Sequence, residues 1–203
     1  MVATPRYDET ITLPRALRFP LELLPPDGFD AERLETWPAV PGRLECVDGR
    51  LLYMPPCGDR QQDTVTDVVI TIGSWVRSHP DFVLGTNEAG MRLAGSTRAA
   101  DAAVWRRTDL GAYTGGLRRV PPVLAVEVAG EDEPEAILVA KARWYLEAGV
   151  AVVWLVLPET RQVLVLKSDG ERRLGAGERL PGHPGLPDLA PLISELLQQV
   201  QAR

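Results

Sequence analysis

The sequence has few of the residues from which disulfide frameworks and zinc sites are built. Its 203 residues include two cysteines, Cys46 and Cys57, and two histidines, His79 and His183. Two isolated cysteines do not make a disulfide framework or a zinc site, and they are typical of a reduced cytoplasm, where we expect the protein to reside. Each histidine stands next to a proline in a turn-like context, which favours a surface position over metal ligation.

Other classes of protein are disfavoured by missing patterns. The chain has no run of 18 apolar residues, so a membrane span is not expected, and its first 20 residues lack the apolar core of a signal peptide. It has no GxxxxGK loop for a nucleotide cofactor and no GxSxG motif of a serine hydrolase. With 22 basic and 28 acidic residues, its net charge of −6 argues against coating nucleic acid non-specifically. A local basic patch remains compatible with that charge.

The apolar pattern predicts an α/β fold. Residues Asp59 to His79 carry apolar side chains at helical spacing, and "RLECVDGRLLYMP" reads as a β-hairpin with an Asp-Gly turn. Two strands that meet near Gly95 come next, followed by a strand, helix and strand from Pro122 to Leu157. A hairpin near Ser168-Asp169-Gly170 and a helix from about Pro191 end the chain. The strand-helix-strand unit should be parallel and the earlier strands antiparallel, which gives a mixed sheet flanked by helices.

Three polar residues interrupt predicted apolar elements. Glu127 lies at the centre of the apolar strand "VLAVEVAG", Asp101 lies between alanines in "RAADAAVW", and Lys141 shares a helical face with Trp144 and Tyr145. Taken singly, each has an ordinary explanation: an exposed aspartate, an edge-strand glutamate, and a lysine whose stem covers carbon while its ammonium stays in water. Taken together, they lie on two strands and the following helix, so they can converge at one end of the sheet. A cation between the two carboxylates would relieve their repulsion, and Mg²⁺ is the usual choice.

These residues resemble the PD-(D/E)xK nuclease superfamily. More narrowly, the stretches "RLECVDGRLLYMPP", "AADAAVW", "VLAVEVAGEDEP", "KARWYLEAGVAVVWLVLP" and "LPGHPGLPDLAPLISELL" are similar to the Uma2 family of restriction-endonuclease-like proteins. In the superfamily the lysine follows the second acid by two residues, where this sequence has Ala129. Uma2-like sequences carry the lysine on the next helix, and Lys141 matches that position. Many relatives also have a histidine early in the first helix, where this chain has Gln61 or Gln62.

The resemblance implies a restriction-endonuclease-like core with an N-terminal β-hairpin extension, and a catalytic group of Glu45, Asp101, Glu127 and Lys141. It also implies Mg²⁺ or Mn²⁺ as cofactor, held by the carboxylates of Asp101 and Glu127 and by the backbone carbonyl of Val128. Glu45 would assist or bind a second ion, although an exposed hairpin glutamate is an equally good interpretation. Lys141 would position the attacking water and neutralise charge on the scissile phosphate of DNA.

Arginines in the loops around the predicted site are candidate DNA contacts. Arg106 and Arg107 follow the Asp101 strand, Arg118 and Arg119 precede the Glu127 strand, and Arg98 lies on the Asp101 strand itself. Cationic side chains near a scissile phosphate would hold the polyanion. An ordinary solvated face is the alternative interpretation.

The organisation predicted from sequence is an N-terminal extension over residues 1–40, packed on a single nuclease-like domain over residues 41–203. The leading functional hypothesis is a metal-dependent endonuclease that hydrolyses DNA phosphodiester bonds. The alternative is a catalytically inactive nuclease-fold scaffold or nucleic-acid-binding module, in which the site residues are scattered or blocked by neighbouring side chains. Apolar residues outside the predicted core, including Trp37, Leu51, Leu52 and Tyr53, favour a homodimer.

Overall fold

The computed structural model describes residues 20–40, 43–54, 56–131 and 133–201. The chain divides into two compact units. The smaller unit comprises residues 1–56 with 95–97, and the larger comprises residues 57–94 with 98–203. The sequence-based boundary between residues 1–40 and 41–203 stays a prediction.

The smaller unit contains the predicted hairpin. Its strands are β1 (Leu21–Leu23), β2 (Arg43–Val47) and β3 (Arg50–Met54), and β3 pairs antiparallel with both others. The turn between β2 and β3 is formed by Asp48 and Gly49, whose φ angles are 51° and 77°. Glycine and, less readily, aspartate tolerate this left-handed conformation, which explains why an Asp-Gly pair stands there. The predicted hairpin is confirmed.

The larger unit is a mixed sheet flanked by helices, so the predicted α/β class is confirmed. Its elements in chain order are α1 (Asp59–Ser78), β4 (Phe82–Leu93), β5 (Ser96–Arg106), β6 (Leu124–Val128), α2 (Glu135–Glu147), β7 (Val152–Leu157), β8 (Gln162–Lys167), β9 (Gly170–Gly175) and α3 (Gln198–Gln201). The first two residues of β5 belong to the smaller unit.

The strands of the larger unit are ordered β4-β5-β6-β7-β8-β9 in the sheet. The parallel pair is β6 and β7, which the crossover helix α2 joins, as predicted. The pairs β5–β6, β7–β8 and β8–β9 are antiparallel.

Two apolar clusters cover the two faces of this sheet. On one face Val126 and Val128 of β6 belong to the cluster that contains Ile72 of α1. On the other face Ala125 belongs to the cluster that contains Ala142 and Tyr145 of α2. Alternation along a strand sends successive side chains to opposite faces, so the face of Ala125 is also that of Glu127. β6 is therefore buried on both sides, as its nearly continuous apolar sequence predicts.

The C-terminal end of the chain differs in detail from the prediction. The helix expected from about Pro191 begins as a 3₁₀ helix over Ile193–Leu197, and α3 continues it for a single turn. Ile193, Leu196 and Leu197 are buried in the cluster on the α1 face, so three of five residues face the core. None of the helices in the described ranges is long and apolar enough to cross a membrane.

Candidate active site

Glu127 is buried in the larger unit and held by two donors from α2. Its side chain is 5% exposed. The Lys141 ammonium donates to Glu127 Oε2 at 2.9 Å, and the Tyr145 hydroxyl donates to Glu127 Oε1 at 2.8 Å. Lys141 and Tyr145 are four residues apart, so they lie on the same face of the helix, one turn from each other. An ionised carboxylate is tolerated within an apolar strand because a cation and a hydroxyl compensate its loss of water.

Lys141 does not extend into solvent as a lysine on an apolar face ordinarily does. Its side chain is 11% exposed, and its ammonium also donates to the backbone carbonyl of Ala99 on β5, at 3.0 Å. The lysine thus connects α2 to two neighbouring strands, through Glu127 on β6 and Ala99 on β5. This arrangement brings Lys141 and Glu127 together as the sequence predicts.

Asp101 lies where the ladder between β5 and β6 ends. The paired residues run from Val104 with Leu124 to Ala102 with Val126. One position further along, the Asp101 carboxylate accepts the backbone N–H of Val128 at 2.7 Å. A side-chain oxygen therefore replaces the strand carbonyl that would continue the ladder, and the same register places Asp101 across from Glu127.

The backbone of Val128 connects the two carboxylates to α1. While its N–H donates to Asp101, its carbonyl oxygen accepts the side-chain amide of Gln61 at 2.9 Å. The backbone N–H of Ala129, the next residue, donates instead to the carbonyl oxygen of Val156 on β7. Gln61 therefore occupies one direction of approach to the carbonyl that the family resemblance names as a metal ligand.

Glu45, the remaining candidate catalytic residue, belongs to the smaller unit. It lies on β2, is 3% exposed, and has an oxygen 4.0 Å from Nε of Arg43. Its burial rules out the exposed hairpin glutamate that sequence alone left open. Its membership of the catalytic group stays a prediction.

The described residues contain no group of three or more histidine, cysteine, aspartate or glutamate side chains placed to hold a metal ion. The candidate metal ligands of the larger unit are thus two carboxylates, on Asp101 and Glu127, and the Val128 carbonyl. All three are oxygen donors, the type that Mg²⁺ and Mn²⁺ prefer.

The five candidate arginines have different surroundings. Arg98 and Arg118 lie over the rings of Trp144 and Trp105, at 4.8 and 4.6 Å from the ring centroids. Arg107 donates to the backbone carbonyls of Pro80 and Phe82. Arg106 and Arg119 are exposed. Arg98, Arg107 and Arg118 thus make contacts that also serve the fold, and the contact of all five with DNA stays a prediction.

Tyr145 is the residue of this site that sequence reasoning did not name as functional. Helical spacing groups it with Lys141, but an apolar helix face gives no sign that a tyrosine hydroxyl will reach a buried carboxylate.

Replacing Tyr145 with phenylalanine should lower the free energy of unfolding by about 1.5–3 kcal/mol, the contribution of a hydrogen bond to a charged group. Denaturant unfolding measures this. The matched control is Tyr113→Phe, because Tyr113 is 93% exposed; equal stability of the two variants would contradict the role of the hydroxyl.

Comparisons with known proteins bear on the fold and the family of this chain. A crystal structure described as "a putative nuclease belonging to DUF820 from Anabaena variabilis ATCC 29413" is similar with a TM-score of 0.74 and 15% sequence identity, covering 84% of this chain and 98% of that one. At that identity the likeness shows the fold. No curated protein matches the chain. Residues 31–196 match the model of the Uma2 family, described as "Putative restriction endonuclease". The matched region spans most of the sequence, and the chain therefore belongs to the Uma2 family.

Proposed function

We propose that this protein is a metal-dependent endonuclease that hydrolyses DNA phosphodiester bonds. The observation that carries the proposal is the convergence of Asp101, Glu127 and Lys141 at the end of the β5–β6 ladder, in a chain of the Uma2 family. The three residues come from two strands and a helix, yet they lie around a single backbone segment. Two carboxylates can hold a divalent cation, and an ammonium can stabilise charge that develops on a phosphate.

The donor set fits a hard divalent cation, Mg²⁺ or Mn²⁺. An ionised carboxylate offers about four lone-pair directions and a backbone carbonyl offers two. A cation held here would use directions other than those of the hydrogen bonds to Asp101, Glu127 and the Val128 carbonyl. A bound cation would lower the pKa of a coordinated water and polarise the phosphoryl oxygen.

The protein's own residues would hold charge and position around that cation. Lys141 balances the charge of the Glu127 carboxylate and fixes its position, because its ammonium lies 2.9 Å from the carboxylate inside a buried site. Tyr145 fixes the other oxygen of the same carboxylate. The ammonium of Lys141 would also stabilise negative charge that develops on a scissile phosphate placed beside it. Glu45 would add a further acidic group to the site.

DNA would be held by the arginines on β5 and on the loop between β5 and β6. We propose Arg98, Arg106, Arg107, Arg118 and Arg119 as phosphate contacts. The net charge of −6 means that any binding surface must be local. A homodimer also stays a prediction: of the apolar residues that suggested one, Leu51 is fully buried within the chain, so it would contribute nothing to an interface.

One specific observation favours the alternative, an inactive nuclease-fold module. The site groups are already satisfied by protein donors: both Glu127 oxygens accept from α2, and Gln61 donates to the Val128 carbonyl. Blocking by neighbouring side chains is what the inactive interpretation expects. In the active enzyme, Gln61 would have to share that carbonyl with the cation or release it.

Incubation with supercoiled plasmid DNA separates the two proposals. We expect the protein to convert the plasmid to nicked and linear forms with Mn²⁺ or Mg²⁺ present, and the conversion to stop when EDTA removes the cation. An Asp101→Asn variant purified identically reveals any contaminating nuclease. Absence of cleavage under every metal condition, or equal cleavage by Asp101→Asn, would favour the inactive module.

A further inference from the structure

A cavity of about 260 Å³ lies at the opposite end of β6 from the carboxylates. Val123, which lines it, immediately precedes β6, whereas the Glu127 site lies at the strand's last residues. Its other lining residues include Pro121, Pro122, Arg106 and His183. The walls thus combine an apolar surface from the two prolines and the valine with two nitrogen-bearing side chains. Of the residues proposed above for the nuclease function, Arg106, a proposed DNA contact, lines this cavity, whereas Asp101, Glu127 and Lys141 do not.

Arg106 brings a positive charge to the cavity. Its side chain is exposed, and no salt bridge or hydrogen bond engages its guanidinium among the residues that the structure describes. By contrast, the guanidinium of the adjacent Arg107 donates hydrogen bonds to the backbone carbonyls of Pro80 and Phe82. A guanidinium is always charged at neutral pH and presents a planar set of donors that matches phosphate and carboxylate oxygens.

Gly185 keeps the two nitrogen-bearing groups close together. A Cβ atom at this position would meet Val123 Cγ1 at 3.0 Å, His183 Nδ1 at 3.1 Å and Arg106 Nη2 at 3.2 Å. Each distance is shorter than an ordinary van der Waals contact, so only glycine leaves the arginine and the histidine in these places. The glycine is buried, which makes the arrangement part of the fold.

His183 presents a hydrogen-bond donor of defined tautomer. The backbone N–H of Gly185 donates to Nδ1 at 3.0 Å, so in the neutral ring Nε2 carries the proton. Burial lowers the pKa of His183 below its usual value, and the positive charges of Lys167 and Arg106 lower it further, while the negative charge of Asp169 acts in the opposite direction. The charges of Lys167 and Arg106, which disfavour a proton on the imidazole, also favour a bound anion.

We propose that this cavity binds a phosphate monoester. The phosphate would accept from the Arg106 guanidinium and the His183 Nε2–H, and the organic part of the ligand would lie on the prolines. Asp109 also lines the cavity and disfavours an anion beside it, so the phosphate belongs on the Arg106 side. The Asp109 carboxylate would instead accept from a hydroxyl of the ligand. A free nucleotide and the 5′-phosphorylated end of a DNA strand share this chemistry.

Calorimetric titration with thymidine 5′-monophosphate tests the proposal, with thymidine as the ligand control. We expect the nucleotide to bind the parent and thymidine to bind far more weakly. Arg106→Gln should weaken nucleotide binding roughly tenfold to a hundredfold, the effect of losing a charge-assisted contact. Arg143→Gln removes the same charge from an exposed position on α2 that does not line the cavity, and it should bind like the parent.

A second probe distinguishes the two sources of the phosphate, and a second variant tests the cavity independently of Arg106→Gln. A 5′-phosphorylated oligonucleotide that binds more tightly than both its unphosphorylated form and the free nucleotide supports a strand end; preference for the free nucleotide supports a small-molecule ligand. Gly185→Ala places a methyl group against the His183 ring and the Arg106 guanidinium, and should also weaken binding. No binding of either phosphorylated probe by the parent, or equal binding by Arg106→Gln and Arg143→Gln, would overturn the proposal. Because the cavity is separate from the carboxylates, either result leaves metal binding and plasmid cleavage to their own tests.

Discussion

Replacing Lys141 with methionine should lower the free energy of unfolding by about 3–5 kcal/mol, the usual cost of removing one partner from a buried ion pair. Glu127 and Lys141 are 5% and 11% exposed, and their charged groups lie 2.9 Å apart. Without the ammonium, the Glu127 carboxylate would stay buried with the Tyr145 hydroxyl as its remaining donor from α2. A lysine whose ammonium stays in water, the ordinary explanation that the sequence allows, would lose little stability on this substitution. The buried pair with Glu127 is what makes the expected cost large.

Two companion variants separate the buried charge from the loss of side-chain packing. Lys167→Met removes a lysine from an exposed pair with Asp169, in which the side chains are 39% and 73% exposed, and should cost less than about 1 kcal/mol. Combining Lys141→Met with Glu127→Gln should recover most of the lost stability, because the glutamine is neutral and still accepts from Tyr145. Urea unfolding measures all three. A Lys141→Met variant as stable as Lys167→Met would show that the buried pair contributes nothing.

The general architecture follows from sequence because each element carries a local signal. The Asp48-Gly49 turn predicts its hairpin, and the spacing of apolar residues predicts α1 to within one residue of its end at Ser78. The C-terminal segment was less predictable because 3₁₀ and α helices share similar apolar spacing over a few residues. Only tertiary packing distinguishes them.

The closeness of Glu127 and Lys141 could be predicted from the sequence, but the other hydrogen bonds around them could not. Glu127 and Asp101 stand out because a carboxylate in an apolar strand must be compensated. The identity of the compensating groups depends on which helix turn lies over which strand residue, and spacing alone does not determine this. The bond from Tyr145 to Glu127 and the bond from Gln61 to the Val128 carbonyl were therefore found only in the structure. The same limit applies to the cavity at Arg106, which joins segments far apart in sequence.

Asp101→Asn is the sharpest test of cation binding because it removes a charge while keeping the local fold. The remaining amide oxygen can still accept the Val128 N–H, which Asp101 now accepts at 2.7 Å. Glu127→Gln is less informative, since it also breaks the pair with Lys141. A matched control is Asp67→Asn: Asp67 is buried on α1 and likewise accepts a backbone N–H, from Gln199, at 2.7 Å.

Calorimetric titration of Mn²⁺ into the parent and these two asparagine variants tests the central claim most directly. We predict that the parent binds Mn²⁺ at up to millimolar concentration, that Asp101→Asn binds about a hundredfold more weakly or not at all, and that Asp67→Asn binds like the parent. A lost carboxylate ligand should cost at least as much affinity as the tenfold to hundredfold known for lost outer-shell partners. If the parent takes up no Mn²⁺, or if Asp101→Asn binds it as tightly as Asp67→Asn does, the carboxylates serve the fold and the site is not a metal centre.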